Sequence, residues 1–262
     1  MRWLDRFARR PAEMRVTKQL AAALEAAGRG DYATALDIWE PLAQAGVARA
    51  QNNIGACFAD GLGVKRDSSL AFRWTALAAK AGDPVGQRNL ASLYFRGEGV
   101  EQDYRRAAEL YRAAAEQGDG PAQDMLSWML LEGEVIEPDV AEARHWALAA
   151  ADHGIASAMT RVGMLYHNAL GVPRDPAEAA RWWLKAALRG DADGQAMLGA
   201  AHHLGAGVPA DPIDACAWLL RAQAGGSALA GRYLAAARSQ LSADEIAEAE
   251  HRAAAPLPEA AP

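Results

Sequence analysis

The sequence is poor in cysteine and has no long run of apolar residues. Its only two cysteines are Cys57 and Cys216, and neither belongs to a CxxC or Cys/His motif of the kind that binds zinc. No apolar run approaches the roughly 20 residues that a transmembrane helix needs. We therefore expect no zinc site and no integral membrane segment.

Positive charge is also scarce. The chain has 27 basic and 33 acidic side chains, which gives a net charge of −6. This balance disfavours general binding to nucleic acid or anionic membranes, so we expect no nucleic-acid partner. The first fifteen residues lack the apolar stretch of a secretory signal, which predicts a cytoplasmic protein.

Glycine, by contrast, recurs at a constant spacing. Six glycines follow one another at intervals of 36 residues: Gly46, Gly82, Gly118, Gly154, Gly190 and Gly226. A constant period of this length predicts a stack of repeats, each of which contacts only its neighbours. Cys57 and Cys216 occupy different positions of the repeat and lie four repeats apart, so we expect no disulfide between them.

Each repeat contains two apolar stripes at helical spacing, which predict two helices, A and B. In helix A a tiny residue such as Ala50 is followed four and eight positions later by large apolar ones, Ile54 and Phe58. In helix B a large residue follows an alanine by three positions: Trp74, Leu110, Trp146, Trp182 and Trp218. We interpret these tryptophans as core residues rather than a ligand cage, because they recur beside alanines.

Aspartate and glycine mark the helix ends. An aspartate in N-cap position precedes every helix B: Asp31, Asp67, Asp103, Asp139, Asp175 and Asp211. The periodic glycines follow helix B, where a left-handed backbone is favoured. A Gly-x-Gly loop joins A to B, and the loops at 133–136 and 169–172 each lack one glycine. These loops follow a helix and lack a GxxxxGK pattern, so we expect neither a phosphate site nor a cofactor.

The consensus AxAQxxLGxxYxxGxGVxxDxxxAxxWxxxAAxxG resembles the Sel1-like repeat, a relative of the tetratricopeptide repeat with a longer connection between its helices. The clearest copies are 48–82, 84–118, 155–190 and 192–226, with 119–154 as a diverged copy. The resemblance implies a right-handed α-solenoid with a scaffolding or adaptor role in protein complexes. A cysteine-rich branch of the family is linked with penicillin binding. Cys57 and Cys216 do not match its pattern, so we do not expect that activity.

These patterns predict an all-α, right-handed α-solenoid of helix–loop–helix repeats with a 36-residue period. The expected organisation is an N-terminal segment and first helix (1–29), the repeats (30–240), a C-terminal capping helix (241–255) and a disordered tail (256–262). Ser242 and Glu245 form the pattern of a capping box at the start of the capping helix. We expect a monomer.

The first ten residues carry four arginines and one aspartate. Trp3, Leu4 and Phe7 can share one helical face, which suggests docking on a membrane surface or on a partner. Packing on the first helix and disorder are the competing interpretations.

The candidate binding positions lie on helix A. Matching it to the tetratricopeptide pattern places the ligand-facing positions at 49, 52, 56, 59 and 60 and at their equivalents in later repeats. An apolar patch rimmed by charge is expected there, which is typical of binding sites. The predicted groove contains Asn52, Arg88, Phe95, Arg96, Asp124, Trp128, Leu131, Met164, His167 and His203. The competing interpretation is that Phe95 and Trp128 pack between helices.

His167 and His203 hold equivalent positions but have no carboxylate or thiol beside them in the pattern, so we expect no metal site. No nucleophile paired with a base stands out, so we expect no catalytic residues and no enzyme. The predicted function is a scaffold or adaptor that binds a protein partner, as a peptide or a helix, in the concave groove. A membrane-surface scaffold docking through the N-terminal segment, or an enzyme of unknown reaction, is the alternative.

Overall fold

The computed structural model describes residues 11–258, and the side chains of residues 13–258. Within this range the chain forms fourteen helices and no strand, which confirms the all-α prediction. The helices are α1 (Pro11–Gly28), α2 (Tyr32–Gln44), α3 (Ala48–Asp60), α4 (Ser68–Lys80), α5 (Pro84–Arg96), α6 (Tyr104–Ala115), α7 (Gly120–Glu132), α8 (Val140–Asp152), α9 (Ala156–Asn168), α10 (Pro176–Leu188), α11 (Ala192–Leu204), α12 (Pro212–Ala224), α13 (Ala230–Arg238) and α14 (Ala243–Ala254).

Helices A and B alternate with the predicted period. Helices α3, α5, α7, α9 and α11 are successive copies of helix A, and each begins 36 residues after the one before it. The even-numbered helices from α2 to α12 are the copies of helix B. The chain forms two compact units, with their boundary inside α7. Unit 1 extends to Ala122, and unit 2 begins at Gln123.

The predicted helix ends are confirmed. All six N-cap aspartates of helix B accept a hydrogen bond from a backbone N–H in the first turn. The six periodic glycines have φ between +81° and +86°, the left-handed region that favours glycine. Helix α14 begins with the capping box formed by Ser242 and Glu245. Local side-chain chemistry therefore sets where these helices start and stop.

The tryptophan position of helix B is less buried than the sequence predicts. Trp74, Trp146, Trp182 and Trp218 are only partly buried, whereas Leu110 is buried. The next residue of helix B is fully enclosed: Thr75, Tyr111, Ala147, Trp183 and Leu219 are all 3% exposed or less. The structure thus places the centre of the A–B contact one residue later than the sequence indicates.

The physical reason is the close approach of helix A. A Cβ atom added to Gly55 would lie 2.5 Å from Thr75 Oγ1, and one added to Gly199 would lie 2.8 Å from the Cγ of Leu219. At Gly163 the added atom would collide with the Trp183 indole. The small residue of helix A therefore faces the buried position of helix B, not the tryptophan position before it.

The C-terminal end of the described chain packs on helix α12. Arg221 donates hydrogen bonds to the carbonyl oxygens of Arg252, at 2.6 Å, and Ala255, at 2.5 Å, where α14 ends. Residues 256–258 line a cavity of about 280 Å³ together with Trp218 and Arg221. The guanidinium group thus satisfies carbonyl groups that the end of a helix leaves without partners.

Truncation of the two neighbouring tryptophans of α10 should have different costs. We expect Trp183→Ala to lower the free energy of unfolding by about 3–5 kcal/mol, as for other buried aromatic residues. Trp182 is half-buried and meets Lys185 Nζ 4.0 Å from its ring centroid, so Trp182→Ala should cost about 1–2 kcal/mol. Denaturant melts of the two variants measure both losses. Equal losses would contradict the assignment of the A–B contact to Trp183.

One altered loop carries backbone strain. Ala169 has φ of +57°, at the position where the equivalent loops have glycine. We expect Ala169→Gly to raise the free energy of unfolding by about 0.5–1 kcal/mol, because glycine adopts this conformation without a Cβ clash. Ala206, in the corresponding loop of the next repeat, does not have a positive φ. Ala206→Gly should therefore lower stability slightly, and thermal melts that rank the two variants the other way would contradict this account.

Both cysteines are buried as free thiols, in agreement with the expected absence of a disulfide. Burial, with a smaller contribution from the Asp60 carboxylate, raises the pKa of Cys57 to about 11. Burial also raises the pKa of Cys216.

Native protein should therefore react very slowly with a thiol reagent at pH 8, since both thiols are buried and their raised pKa values leave little of the reactive thiolate. Unfolding in denaturant should release two reactive thiols. Rapid labelling of one equivalent in the native state would show that a thiol is accessible.

Candidate functional site

In unit 1 several predicted ligand-facing positions of helix A line a small cleft. The cleft lies between α3 and α5 and has a volume of about 120 Å³. Its lining residues are Gly55, Ala56, Ala59, Asp60, Thr75, Asn89, Ser92, Leu93 and Arg96. Five of them occupy the positions that the tetratricopeptide pattern designates as ligand-facing. This volume is below the roughly 300–1,000 Å³ of ordinary small-molecule sites.

The rim of this cleft carries one acid and one base. Asp60 is exposed, and the half-exposed guanidinium group of Arg96 pairs with Glu98 at 3.5 Å. Burial raises the pKa of the adjacent Tyr111, although its hydrogen bond with Ser92 and the charge of Arg96 act in the opposite direction. The phenol therefore stays neutral at physiological pH, and the charges of the cleft lie at its mouth.

Two predicted groove residues of unit 1 form hydrogen bonds between repeats. The side chain of Asn52 is buried, at 4% exposed, and its Oδ1 accepts a 2.8 Å hydrogen bond from Asn89 Nδ2. Arg88 donates to both carboxylate oxygens of Asp119, at 3.1 and 2.9 Å. Asn52 is thus enclosed by its neighbours, and Arg88, at 27% exposed, is held by a carboxylate.

Phe95 also contacts its own unit. Its ring meets Tyr104 edge-on, with the centroids 5.1 Å apart, and the side chain is partly buried. This contact agrees with the competing interpretation, in which Phe95 packs within the fold. The remaining residues of the expected apolar patch, Trp128, Leu131 and Met164, belong to unit 2.

In unit 2 exposed apolar side chains occur at predicted ligand-facing positions of neighbouring A helices. Met164 on α9 is 37% exposed, and Leu204 on α11 is 63% exposed. Trp128 and Leu131 on α7 are partly exposed, as are His167 on α9 and His203 on α11. We call these six residues the apolar face of unit 2. The predicted groove omitted Leu204, although it occupies the position equivalent to Arg96.

The A helices of unit 2 are joined by polar contacts that use another predicted groove residue. Asp124 on α7 accepts a 2.7 Å hydrogen bond from Ser157 and forms an ion pair with Arg161, both on α9. Asp124 thus joins α7 to α9, because its carboxylate is only 16% exposed and has two partners on α9. Thr160 on α9 likewise donates to Asp191, the N-cap of α11, at 2.6 Å.

The two histidines of the apolar face, His167 and His203, have buried ring nitrogens. The His167 ring lies 5.4 Å from that of Trp183. The Nδ1 atoms of His167 and His203 are buried without a hydrogen-bond partner. Nowhere in residues 11–258 do three or more His, Cys, Asp or Glu side chains come together as a metal site would require.

The membrane-docking prediction concerns residues 1–10, which lie outside the described residues. Among the helices that the structure does describe, none is both long enough and apolar enough to cross a bilayer.

Known proteins show the same repeat. The model of the Sel1 repeat family matches five consecutive segments: 48–83, 84–119, 120–155, 156–191 and 192–227. No curated protein matches the sequence.

Solved structures of bacterial proteins are similar to this chain. A Sel1 repeat protein from Oxalobacter formigenes is 28% identical over 89% of this chain and 94% of its own, with a TM-score of 0.80. A Sel1 repeat protein from Klebsiella pneumoniae subsp. pneumoniae is 22% identical over 76% and 97%, with a TM-score of 0.49. Immunity protein Pa5087 from Pseudomonas aeruginosa is 19% identical over 81% and 84%, with a TM-score of 0.49.

The five family matches coincide with the helix pairs from α3 to α12 and cover more than half of the chain. Sel1 repeats typically build non-catalytic scaffolds that bind other proteins. The chain belongs to the Sel1 repeat family.

Proposed function

We propose that the chain is an adaptor without catalysis of its own, which holds a peptide or helix of a partner protein against its A helices. The single observation that carries this proposal is the pair of exposed apolar side chains in unit 2, Met164 and Leu204. They occupy ligand-facing positions of α9 and α11, which pack side by side through Thr160 and Asp191.

Isolated apolar residues are common on protein surfaces, but a group of them on adjacent helices is typical of an interaction site. The partly exposed Trp128, Leu131 and His167 extend the apolar face beyond Met164 and Leu204. Covering such a surface is favourable by about 25 cal/mol for each Å² of apolar area removed from water. A partner that presents an apolar stripe would gain this free energy.

Three polar residues of helix A are already bound within the protein, which leaves the apolar residues as the proposed partner surface. Asn52, Arg88 and Asp124 are bound to neighbouring repeats, so we leave them out of the partner surface. Phe95 and Arg96 of unit 1 remain predicted contacts. The cleft beside Arg96, at about 120 Å³, suits one partner side chain better than a whole small molecule.

The proposal is tested by affinity purification from a native extract, with mass spectrometry of the bound proteins. The wild-type chain is compared with the double variant Met164→Glu, Leu204→Glu. The control variant is Leu184→Glu, since Leu184 is an exposed leucine of unit 2 on a B helix, and its 42% exposure lies between those of Met164 and Leu204. We expect a partner that the wild type and the control retain and the double variant loses.

Because the substituted side chains are exposed, both variants should stay within about 0.5 kcal/mol of wild type in thermal or denaturant melts. This control separates loss of the surface from loss of the fold. A partner retained equally by all three proteins would place the binding site elsewhere and overturn the proposal.

A further inference from the structure

The first part of unit 2 has no positive charge. Residues 123–143 contain six acidic residues and no lysine or arginine. Asp124, Asp139 and Glu142 are hydrogen-bonded within the fold. Three others, Glu132, Glu134 and Glu137, are exposed in the last residue of α7 and the loop that follows it. The border of the apolar face next to Leu131 is therefore negatively charged.

The rest of the apolar face offers little to compensate this charge. Arg161 is the single lysine or arginine in the A helices of unit 2, which are α7 from residue 123 onward, α9 and α11. Its side chain is 12% exposed and paired with Asp124. The next cation along the chain, Arg174 in the loop after α9, donates from Nε to the carbonyl oxygen of His167 at 3.2 Å.

An apolar surface bordered by uncompensated carboxylates attracts cationic partners and repels anionic ones. We propose that the partner segment for unit 2 is an amphipathic helix whose apolar stripe is bordered by lysine or arginine residues. This inference rests on the proposed function, because it specifies the partner of the same face.

A helix fits the spacing of this face. Packed helices lie about 8–10 Å apart, so Met164 and Leu204, on neighbouring A helices, contact partner residues separated by about two helical turns, or 11 Å. An amphipathic helix presents apolar side chains at this interval, at positions i and i+7. Basic residues that flank the apolar stripe of the partner helix can then lie near Glu132, at the end of α7, and Glu134, in the loop that follows.

The test uses the full-length chain and three synthetic helical peptides with one leucine stripe and different flanking residues: lysine, glutamine or glutamate. Binding is measured by fluorescence anisotropy at low and high salt. We expect the lysine peptide to bind at least tenfold more tightly than the glutamine peptide, and the glutamate peptide to bind most weakly. The advantage of the lysine peptide should shrink at high salt, since salt screens exposed charges.

Two charge-reversal variants locate the effect. Glu132 and Asp152 are both exposed acids at the last residue of a helix in unit 2, α7 and α8 respectively. Glu132→Lys should weaken binding of the lysine peptide about tenfold and leave the glutamine peptide unchanged. Asp152→Lys changes the net charge by the same amount and should leave both affinities within about twofold of wild type.

Several outcomes would overturn the inference. Equal affinities for the lysine and glutamate peptides, or equal effects of the two charge reversals, would show that the acidic border does not select the partner. Self-association of the full chain that Glu132→Lys abolishes would make the occupant a second copy instead of a separate protein.

The failure of this inference is distinguishable from failure of the proposed function. If no peptide binds, yet the natural partner is still lost from the Met164→Glu, Leu204→Glu variant, the face is an interaction site with a different partner chemistry. If the partner is also retained by that variant, both proposals fail.

Discussion

The contact on which the repeats depend is the close approach of helix A to helix B. It requires a tiny residue on A opposite a buried residue of B, as in the pairs Gly163 with Trp183 and Gly199 with Leu219. Protein interiors are packed as densely as organic crystals, so a larger residue on A would push the helices apart. The approach is as close opposite the small Thr75 as it is opposite the large indole of Trp183, since a Cβ atom added to Gly55 or to Gly163 would collide with its partner.

A second set of contacts joins successive repeats, and it uses the N-cap aspartates of helix A twice. Asp83, Asp119 and Asp191 each accept a backbone N–H of their own helix. Each also accepts a side chain from the preceding A helix: Arg49, Arg88 and Thr160 respectively. Each carboxylate therefore caps the start of its own helix A and also holds that helix against the preceding helix A. This is why Arg49, Arg88 and Thr160, at predicted ligand-facing positions, are paired with a neighbouring repeat.

The same arrangement explains what is left for a partner. With Asp124 and Thr160 bound to neighbouring repeats, the exposed large apolar side chains on the A helices of unit 2 are Met164 and Leu204, with partly exposed residues beside them. Two of the carboxylates next to this apolar face, Glu134 and Glu137, belong to a loop in which Val135 stands where equivalent loops have glycine. The packing residues are similar in every repeat, whereas the loop and the exposed positions of helix A differ between repeats. These differences give the array its proposed binding surface.

The sequence by itself determined the helices, their 36-residue period, their caps and the family, because each of these depends on interactions within a few residues or on a pattern repeated five times. Only the tertiary structure decided which side chains face solvent. Adjacent positions such as Trp182 and Trp183 differ by about 100° around a helix, so the packing angle between helices selects the buried one. The burial of Asn52 and the pairing of Asp124 likewise depend on partners 37 residues away, whose distance no local pattern encodes.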